Sequence, residues 1–223
     1  MIKQTQTFLN YFLDLQLATD GIQGEKTNAA IRDAITKLQR KFAKEKLTWN
    51  SEFNFIGIRT DHDFDNSFDD WFIIFAYGTI IAVPASTVSG RQGVINGAEN
   101  WVNGVNGTGI IKANQQIDYL LVEPKDNTFW NPMWSGGIGF LYQDKPIYFY
   151  RDANEDGVVD TNGPIYFDNV GANCHSWINF NSSYVENLST MCQVTQYWYW
   201  VPLFELLRKN AENNRINYTL LQW

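Results

Sequence analysis

The sequence predicts an α+β fold in which a small helical N-terminal module precedes a mainly β domain. Apolar residues recur at steps of three and four as far as residue 42, which is the period of an amphipathic helix. After residue 52 the period changes to two, and short apolar runs alternate with stretches rich in Gly and Asn, as strands and turns do. We therefore expect a helical module over residues 1–45 and a mainly β domain over residues 46–223.

Composition predicts a core-forming chain that does not bind nucleic acid. Apolar residues make up 44% of the chain and aromatic residues 16%, enough for a large core. The net charge of −7 argues against nucleic acid as a partner, because phosphate binding requires a basic surface. We expect no transmembrane segment, because no apolar run reaches about eighteen residues. The polar start from Met1 to Thr7 predicts that there is no signal peptide.

The N-terminal pattern predicts two helices joined by a short, glycine-containing connection. Residues 20–24 hold two glycines that allow a tight connection, and Thr27 is the expected N-cap of the second helix. The polar residues 43–52 are expected to form a linker. The apolar positions at helical spacing are Phe8, Leu9, Phe12 and Leu13, followed by Ile31, Ala34, Ile35, Leu38 and Phe42.

The connection resembles the peptidoglycan-binding domain of wall hydrolases, whose signature is Asp-Gly-x-Phe-Gly-x-x-Thr followed by a helix. Asp20, Gly21, Gly24 and Thr27 match this signature, and Gln23 replaces the Phe. The resemblance implies that the four matching residues bind substrate and that bacterial peptidoglycan is the partner. The alternative is a helical hairpin that only packs against the second domain.

The second domain is predicted to consist of short strands with one late helix. Strands are expected at residues 53–59, 71–77, 79–83, 119–122, 146–150 and 216–221, and a helix at residues 202–213. The strands at 71–77 and 79–83 form a hairpin that turns at Gly78. Residues 86–109 are rich in Gly, Asn and Ser and predict a long surface loop. Trp101 in this loop is either a substrate contact or a loop anchor.

The stretch from residue 151 to residue 163 has part of a calcium-loop pattern. Oxygen-bearing side chains at alternate positions can wrap one cation, and Gly157 allows the sharp turn between them. The twelfth position is Gly163, so the closing Glu is missing. An Asx turn between two strands would use the same residues without a metal. Calcium and a metal-free turn both stay open, and no cofactor is required. The candidate metal ligands are Asp152, Asn154, Asp156 and Asp160.

A candidate catalytic pair falls between Cys174 and Gln193. Cys192 follows His175 by seventeen positions. A thiol needs a nearby base to form the thiolate that attacks a carbonyl, and a His on one strand can meet a Cys that follows the next loop. The alternatives are a structural His with a core Cys, or a disulfide between the two cysteines. Against the disulfide, strand alternation would direct Cys174 away from the His175 face.

This spacing resembles the L,D-transpeptidase (YkuD-like) family, whose motif is a His followed by Ser or Gly, a loop of similar length, and Ser-His-Gly-Cys. On this resemblance Cys192 aligns with the nucleophile, His175 with the base, and Ser176 with the residue after the base. Thr190 and Met191 stand where the family has His and Gly.

A variant of the motif in phage and bacterial proteins, which ends in Ser-Ala-Gly-Cys-Gln, fits Gln193 better and implies that Gln193 binds substrate. The resemblance implies a YkuD-like sheet sandwich with the Cys/His site in an open groove. Ser189 and Ser176 are candidates to orient the base or the substrate, and Asp168 is a weaker candidate for a third catalytic group.

The function implied by the resemblance is that of a peptidoglycan-active cysteine enzyme that cleaves or transfers acyl groups on wall stem peptides. The phage-like motif favours a lysin or virion-associated lytic protein, located in the virion or in the host cytoplasm before lysis, with virion proteins as candidate partners. The alternative is a non-catalytic cell-wall-binding or virion structural protein that kept the fold. The departures at Thr190 and Met191 favour that alternative.

Overall fold

The computed structural model describes residues 1–60, 67–88, 108–123, 138–151, 161–177, 184–185 and 191–223. Over these ranges the chain is α+β and mainly β, as the sequence predicts. The helices are α1 (Ile2–Leu13), α2 (Glu25–Lys44) and α3 (Tyr197–Asn210). The strands are β1 (Phe53–Arg59), β2 (Asp70–Ala76), β3 (Thr79–Ser86), β4 (Gly109–Ile111), β5 (Gln115–Val122), β6 (Phe140–Gln143), β7 (Ile147–Arg151), β8 (Tyr166–Asp168), β9 (Cys174–Trp177), β10 (Gln193–Gln196) and β11 (Arg215–Gln222).

The main sheet closes on itself instead of forming the predicted two-sheet sandwich. Its strands run in the order β1-β11-β5-β6-β9-β10-β3-β2, and β2 pairs again with β1. The strands β4, β7 and β8 form a separate three-stranded sheet. Most neighbours in the barrel are antiparallel, but β1 pairs in parallel with β11, and β9 pairs in parallel with β10. Closure pairs both edges of every barrel strand, so the barrel has no open sheet edge.

The pairing between strands explains one strand boundary that was predicted correctly and one that was not. The hairpin of β2 and β3 turns at Tyr77 and Gly78, as predicted, and both residues have positive φ, at 46° and 83°. Such a two-residue turn matches the twist of the flanking strands. In contrast, β5 begins at Gln115, four residues before its predicted start. Its polar first residues pair with the end of β11, and this tertiary pairing makes them a strand.

Alternating side chains fill the barrel with one apolar cluster. Phe55, Phe72 and Tyr218 contact one another inside it, with ring centroids 4.8 to 6.2 Å apart. Tyr218 crosses over Gly57, where a Cβ atom would lie 1.7 Å from the tyrosine hydroxyl oxygen. The absence of a side chain at Gly57 therefore leaves room for the tyrosine.

The two N-terminal helices pack on the outer face of the barrel. Their buried residues join a second apolar cluster with the outward-facing residues of β1, β2, β3 and β11. In this cluster the rings of Phe8 and Trp71 lie 5.4 Å apart. Residues 43–52, predicted as a linker, also pack, because Trp49 contacts Phe42 and Phe75 at centroid distances of 5.1 and 4.8 Å. The helices thus share an apolar layer with the barrel wall.

The predicted N-cap of α2 is wrong. Gly24 occupies the cap position in an extended conformation, and its carbonyl accepts the Asn28 N–H at 3.0 Å. Thr27 lies inside the first turn and is buried. Its hydroxyl oxygen lies 3.4 Å from the Gln6 side-chain nitrogen. The Thr27 hydroxyl therefore contacts α1 instead of accepting a backbone N–H at the start of α2.

Helix α3 begins at Tyr197, five residues before the predicted start, and contains Pro202. Proline inside a helix removes one backbone hydrogen bond. Trp200, which precedes it, is fully buried and donates its indole N–H to the Gly139 carbonyl at 2.9 Å. Burial of this large side chain stabilises the early turn. None of the three described helices combines the length and the apolar character needed to cross a membrane.

We expect Gly57→Ala to lower the free energy of unfolding by about 1–3 kcal/mol, because the new methyl group would overlap the Tyr218 side chain and force the core apart. Urea denaturation measures the loss. Gly24→Ser is the matched control, because a side chain at Gly24 meets no atom within 4 Å and serine is a good helix cap. Similar unfolding energies for both variants would contradict this account of the barrel interior.

Candidate functional site

The candidate pair lies at two neighbouring parallel strands, with His175 on β9 and Cys192 just before β10. In the register of β9 and β10, Cys174 lies opposite Gln193 and His175 lies opposite Val194. Cys192 immediately precedes β10, whose pairing with β9 begins with the bond of the Gln193 N–H to the Asn173 carbonyl at 2.9 Å. The parallel pairing thus brings together two segments that are separated by a loop in the sequence.

Strand alternation predicts that Cys192 and His175 face the same way. Cys174 belongs to the main apolar cluster, and the Gln193 side chain bonds to Tyr119 and Tyr218 of that cluster. Successive side chains of an extended chain point to opposite faces. His175, next to inward Cys174 on β9, therefore faces away from the barrel interior, and we expect Cys192, which directly precedes inward Gln193, on the same side.

Two anchors hold the chain on either side of Cys192. Met191 is buried and lies over Gly109, where a Cβ atom would come within 1.6 Å of the methionine methyl carbon. Gln193 is fully buried, and its side-chain nitrogen donates to the Tyr119 hydroxyl at 3.4 Å. The Tyr218 hydroxyl donates to the Gln193 side-chain oxygen. The Gln193 side chain therefore fastens this segment inside the barrel, and its role in substrate binding stays a prediction.

His175 is held in the tautomer that suits a base. Its Nδ1 lies 2.8 Å from the Ser176 carbonyl oxygen. A carbonyl can only accept a hydrogen bond, so Nδ1 carries the proton and Nε2 keeps the lone pair. The ring is only 3% exposed, and this burial lowers the pKa of His175 below its ordinary value of 6.5. The imidazole is therefore neutral at neutral pH, as a general base must be.

The Ser176 backbone carbonyl, and not its hydroxyl, contacts the His175 imidazole. Its side chain is fully buried, and the hydroxyl oxygen has no hydrogen-bond partner among the groups that the structure describes. The predicted third group, Asp168, lies on β8, and its carboxylate accepts the Asn169 N–H at 2.7 Å. The partner of the imidazole Nδ1 is the Ser176 carbonyl.

The two cysteines differ in their surroundings and do not form a disulfide with each other. The Cys192 thiol is partly exposed and donates to the Gly171 carbonyl, with 3.6 Å between sulfur and oxygen. Cys174 is completely buried, and burial, with a smaller contribution from the charge of Cys192, raises its pKa well above its ordinary value. Cys192 is therefore the partly exposed cysteine, and burial keeps the Cys174 thiol protonated.

The residues that match the peptidoglycan-binding signature come together around Gln6. The Gln6 amide nitrogen donates to an Asp20 carboxylate oxygen at 3.0 Å, and its oxygen accepts the Gly21 N–H at 2.9 Å. Thr27 is the third contact, at 3.4 Å. Gly21 has a φ of 84°, which favours glycine. In this structure Asp20, Gly21 and Thr27 thus fasten the connection between α1 and α2 by bonding to Gln6 of α1.

Several predicted site residues lie outside the part of the chain that the structure describes. They are Ser189, Trp101, and the candidate calcium ligands Asp152, Asn154, Asp156 and Asp160. Within the described ranges, no three His, Cys, Asp or Glu side chains are grouped as a metal site requires.

Sequence reasoning missed a polar cavity of about 700 Å³ at one end of the barrel. Neither His175 nor Cys192 lines it. Its rim carries Tyr77, the first residue of the hairpin turn. A tyrosine at a turn position that favours Asn, Asp or Gly is the sequence signal that could have indicated it.

No protein-family model, curated protein or solved structure matches this chain. The resemblances to L,D-transpeptidases and to peptidoglycan-binding domains therefore stay predictions. The geometry of the Cys192 and His175 strands is the basis for the function proposed below.

We expect iodoacetamide to alkylate Cys192 at least about tenfold faster than Cys174 in the native protein, because burial keeps the Cys174 thiol protonated and out of contact with solvent. Peptide mass spectrometry after timed quenching gives both rates. In urea the two rates should converge, which serves as the internal control. Equal rates in the native protein would contradict the assigned burial of Cys174.

We expect His175 to make the protein less stable in acid. Its lowered pKa keeps the folded imidazole neutral, while the unfolded chain takes up a proton as the pH falls through 6.5. From about pH 7.5 to about pH 5, this group should lower the free energy of unfolding by at most about 2 kcal/mol. Urea unfolding at both pH values should show a smaller pH dependence in His175→Gln, and an unchanged dependence would contradict the assignment.

Proposed function

We propose that this chain is a cysteine acyl-transfer enzyme that acts on peptidoglycan stem peptides, with Cys192 as nucleophile and His175 as base. The observations that carry the proposal are the parallel pairing of β9 with β10, which brings the segment of Cys192 beside that of His175, and the Ser176 carbonyl, which leaves the lone pair on the imidazole Nε2. A nucleophile, a base and a group that orients the base are the parts this chemistry needs.

The proposed reaction has two steps. His175 Nε2 takes the proton of the Cys192 thiol, and the thiolate sulfur attacks the carbonyl carbon of a peptide bond. The carbon–nitrogen bond then breaks, the leaving amine takes the proton from His175, and a thioester to Cys192 remains. In the second step water or an acceptor amine gives its proton to the imidazole, attacks the thioester and regenerates the thiol. Water makes the enzyme a peptidase, and an amine makes it a transpeptidase.

The surroundings of the pair support this proposal. The anchored side chains of Met191 and Gln193 fix the backbone on both sides of Cys192, so the thiol starts from a defined position. The resting bond of the thiol to the Gly171 carbonyl must break before the proton passes to His175. Backbone N–H groups near Met191 and Cys192 are the proposed donors to the oxyanion.

Peptidoglycan as substrate follows from the two motif resemblances. The proposed setting is a phage lysin or a virion-associated lytic protein, present in the virion or in the host cytoplasm before lysis, with virion proteins as further partners. The connection from Asp20 to Thr27 is the proposed wall contact. Asp20 is exposed at its surface, and the neighbouring Ile22 is 68% exposed.

A second candidate function is a non-catalytic wall-binding or virion structural protein. The observation that favours it is the burial of Met191, which stands where the family's glycine would expose the backbone beside the nucleophile. In that case the Cys192 strand would be part of the scaffold only.

The decisive prediction concerns release of muropeptides from purified peptidoglycan. The wild type should release them and lower the turbidity, and Cys192→Ala should reduce release at least about a hundredfold, because no thiolate can form. Cys174→Ala is the matched control. It removes the other thiol, which lies inside the barrel, and should keep most of the activity.

Each other outcome has a distinct meaning. Equal release by the wild type and by folded Cys192→Ala would remove the thiol from the chemistry. No release by any variant, with the protein still pelleting with the wall, would support the binding or structural function. Mass analysis of the products would identify the bond and distinguish hydrolysis from transfer.

A further inference from the structure

The cavity of about 700 Å³ lies where the segment before β1, the β2–β3 turn and the start of β11 meet. Its wall is formed mainly by amide, carboxylate and hydroxyl side chains, with Phe53 and Tyr77 as the aromatic members. Small-molecule sites combine an aromatic or apolar surface with a few fixed polar groups, and this cavity has both, with a larger polar share than is usual.

The amide groups of the cavity are fixed by bonds to one another. The Gln116 amide nitrogen donates to the Thr48 carbonyl at 2.9 Å and to the Asn217 side-chain oxygen at 3.1 Å, and Asn217 donates to an Asp118 oxygen at 3.1 Å. Asn50 and Asn54 form a second fixed pair, in which the Asn54 oxygen accepts the Asn50 N–H at 3.0 Å. Planar amides and carboxylates can bond to neighbouring hydroxyl pairs or to an acetamido group.

Tyr77 gives this cavity an exposed aromatic surface. The side chain is 73% exposed although its backbone has a φ of 46°, which a bulky residue rarely adopts. Asn or Gly would form the same turn with less strain. A strained residue is a reason to look for a function, and an exposed ring at a polar cavity provides a flat apolar face for a ligand.

The charges of the cavity do not favour an anionic ligand. Its acidic residues are Glu52, Asp118 and Glu212, and its basic residues are Lys209 and Arg215. Arg215 is already paired with Asp144, and Asp118 with Lys145, neither partner being part of the lining. The remaining charges are two acidic and one basic, so no excess of positive charge attracts an anion to the cavity.

We propose that this cavity binds a neutral glycan bearing N-acetyl groups, with a sugar ring stacked on Tyr77 and its hydroxyl and acetamido groups bonded to the fixed amides around Asn217. In the stacked arrangement the C–H groups of the sugar lie on the aromatic ring. The amides form directional hydrogen bonds, which orient the ligand and make binding specific. This site is separate from Cys192 and His175 and goes beyond the proposed acyl-transfer function.

The test is calorimetric titration of the full chain with the β-1,4-linked tetramer of N-acetylglucosamine. Binding should weaken at least about tenfold in Tyr77→Asn, because this change removes the ring and keeps a residue that accepts the positive φ. Asn217→Ala should weaken binding several-fold. Tyr11→Ala, which removes an exposed tyrosine from α1, and Cys192→Ala should both bind as the wild type does.

Maltotetraose, which has the hydroxyl groups without the acetamido groups, should bind at least about fivefold more weakly than the N-acetylglucosamine tetramer. No heat at millimolar tetramer, or equal binding by wild type and folded Tyr77→Asn, would overturn the proposal. Equal binding of both sugars would overturn the assigned role of the acetamido group. The Cys192→Ala variant lacks the proposed nucleophile, so tetramer binding by this variant tests the cavity independently of the acyl-transfer proposal.

Discussion

The Gln193 side chain, held between two tyrosine hydroxyls inside the barrel, is the interaction on which the candidate site depends. A buried amide without hydrogen-bond partners would lower the free energy of unfolding by about 1–3 kcal/mol. The hydroxyls of Tyr119 and Tyr218 avoid this cost by bonding to the Gln193 amide. Tyr218 reaches Gln193 only because Gly57 leaves space for its ring. The bond therefore ties β10, and with it Cys192, to β11 on the other side of the barrel.

A second buried polar network holds the ends of the first three strands. Arg59, 2% exposed, donates to the Ile111 carbonyl at 2.8 Å and to the Thr87 carbonyl at 2.9 Å. Asp70 accepts the Thr87 N–H at 2.7 Å, and burial raises the pKa of its carboxyl group. Because Ile111 belongs to β4, the same network fastens the small sheet to the barrel. Loss of one partner would leave a buried charged group unsatisfied.

The barrel separates the two proposed sites. Cys192 and His175 lie at the parallel pair β9–β10, whereas the polar cavity lies at the starts of β1 and β11 and the turn after β2. Helices α1 and α2 cover the outer face of β1, β2, β3 and β11. If both proposals hold, one rigid barrel would bind a glycan strand at one place and act on a stem peptide at another, with both held at a fixed separation.

The sequence by itself determined the elements whose signal is local. The helical period of residues 2–42, strand β1 and the hairpin turn at Gly78 follow from apolar spacing and turn chemistry, which act over a few residues. It also indicated Cys192 and His175 as the candidate pair, and their roles stay predictions. Tertiary structure decided the features that depend on long-range contacts. Barrel closure, the burial of Gln193 and of the Ser176 hydroxyl, and the early start of α3 at Tyr197 all depend on residues far away in the chain. Alternation assigns a residue to a face of its strand, but only the pairing of strands decides whether that face meets solvent, a helix or the barrel interior.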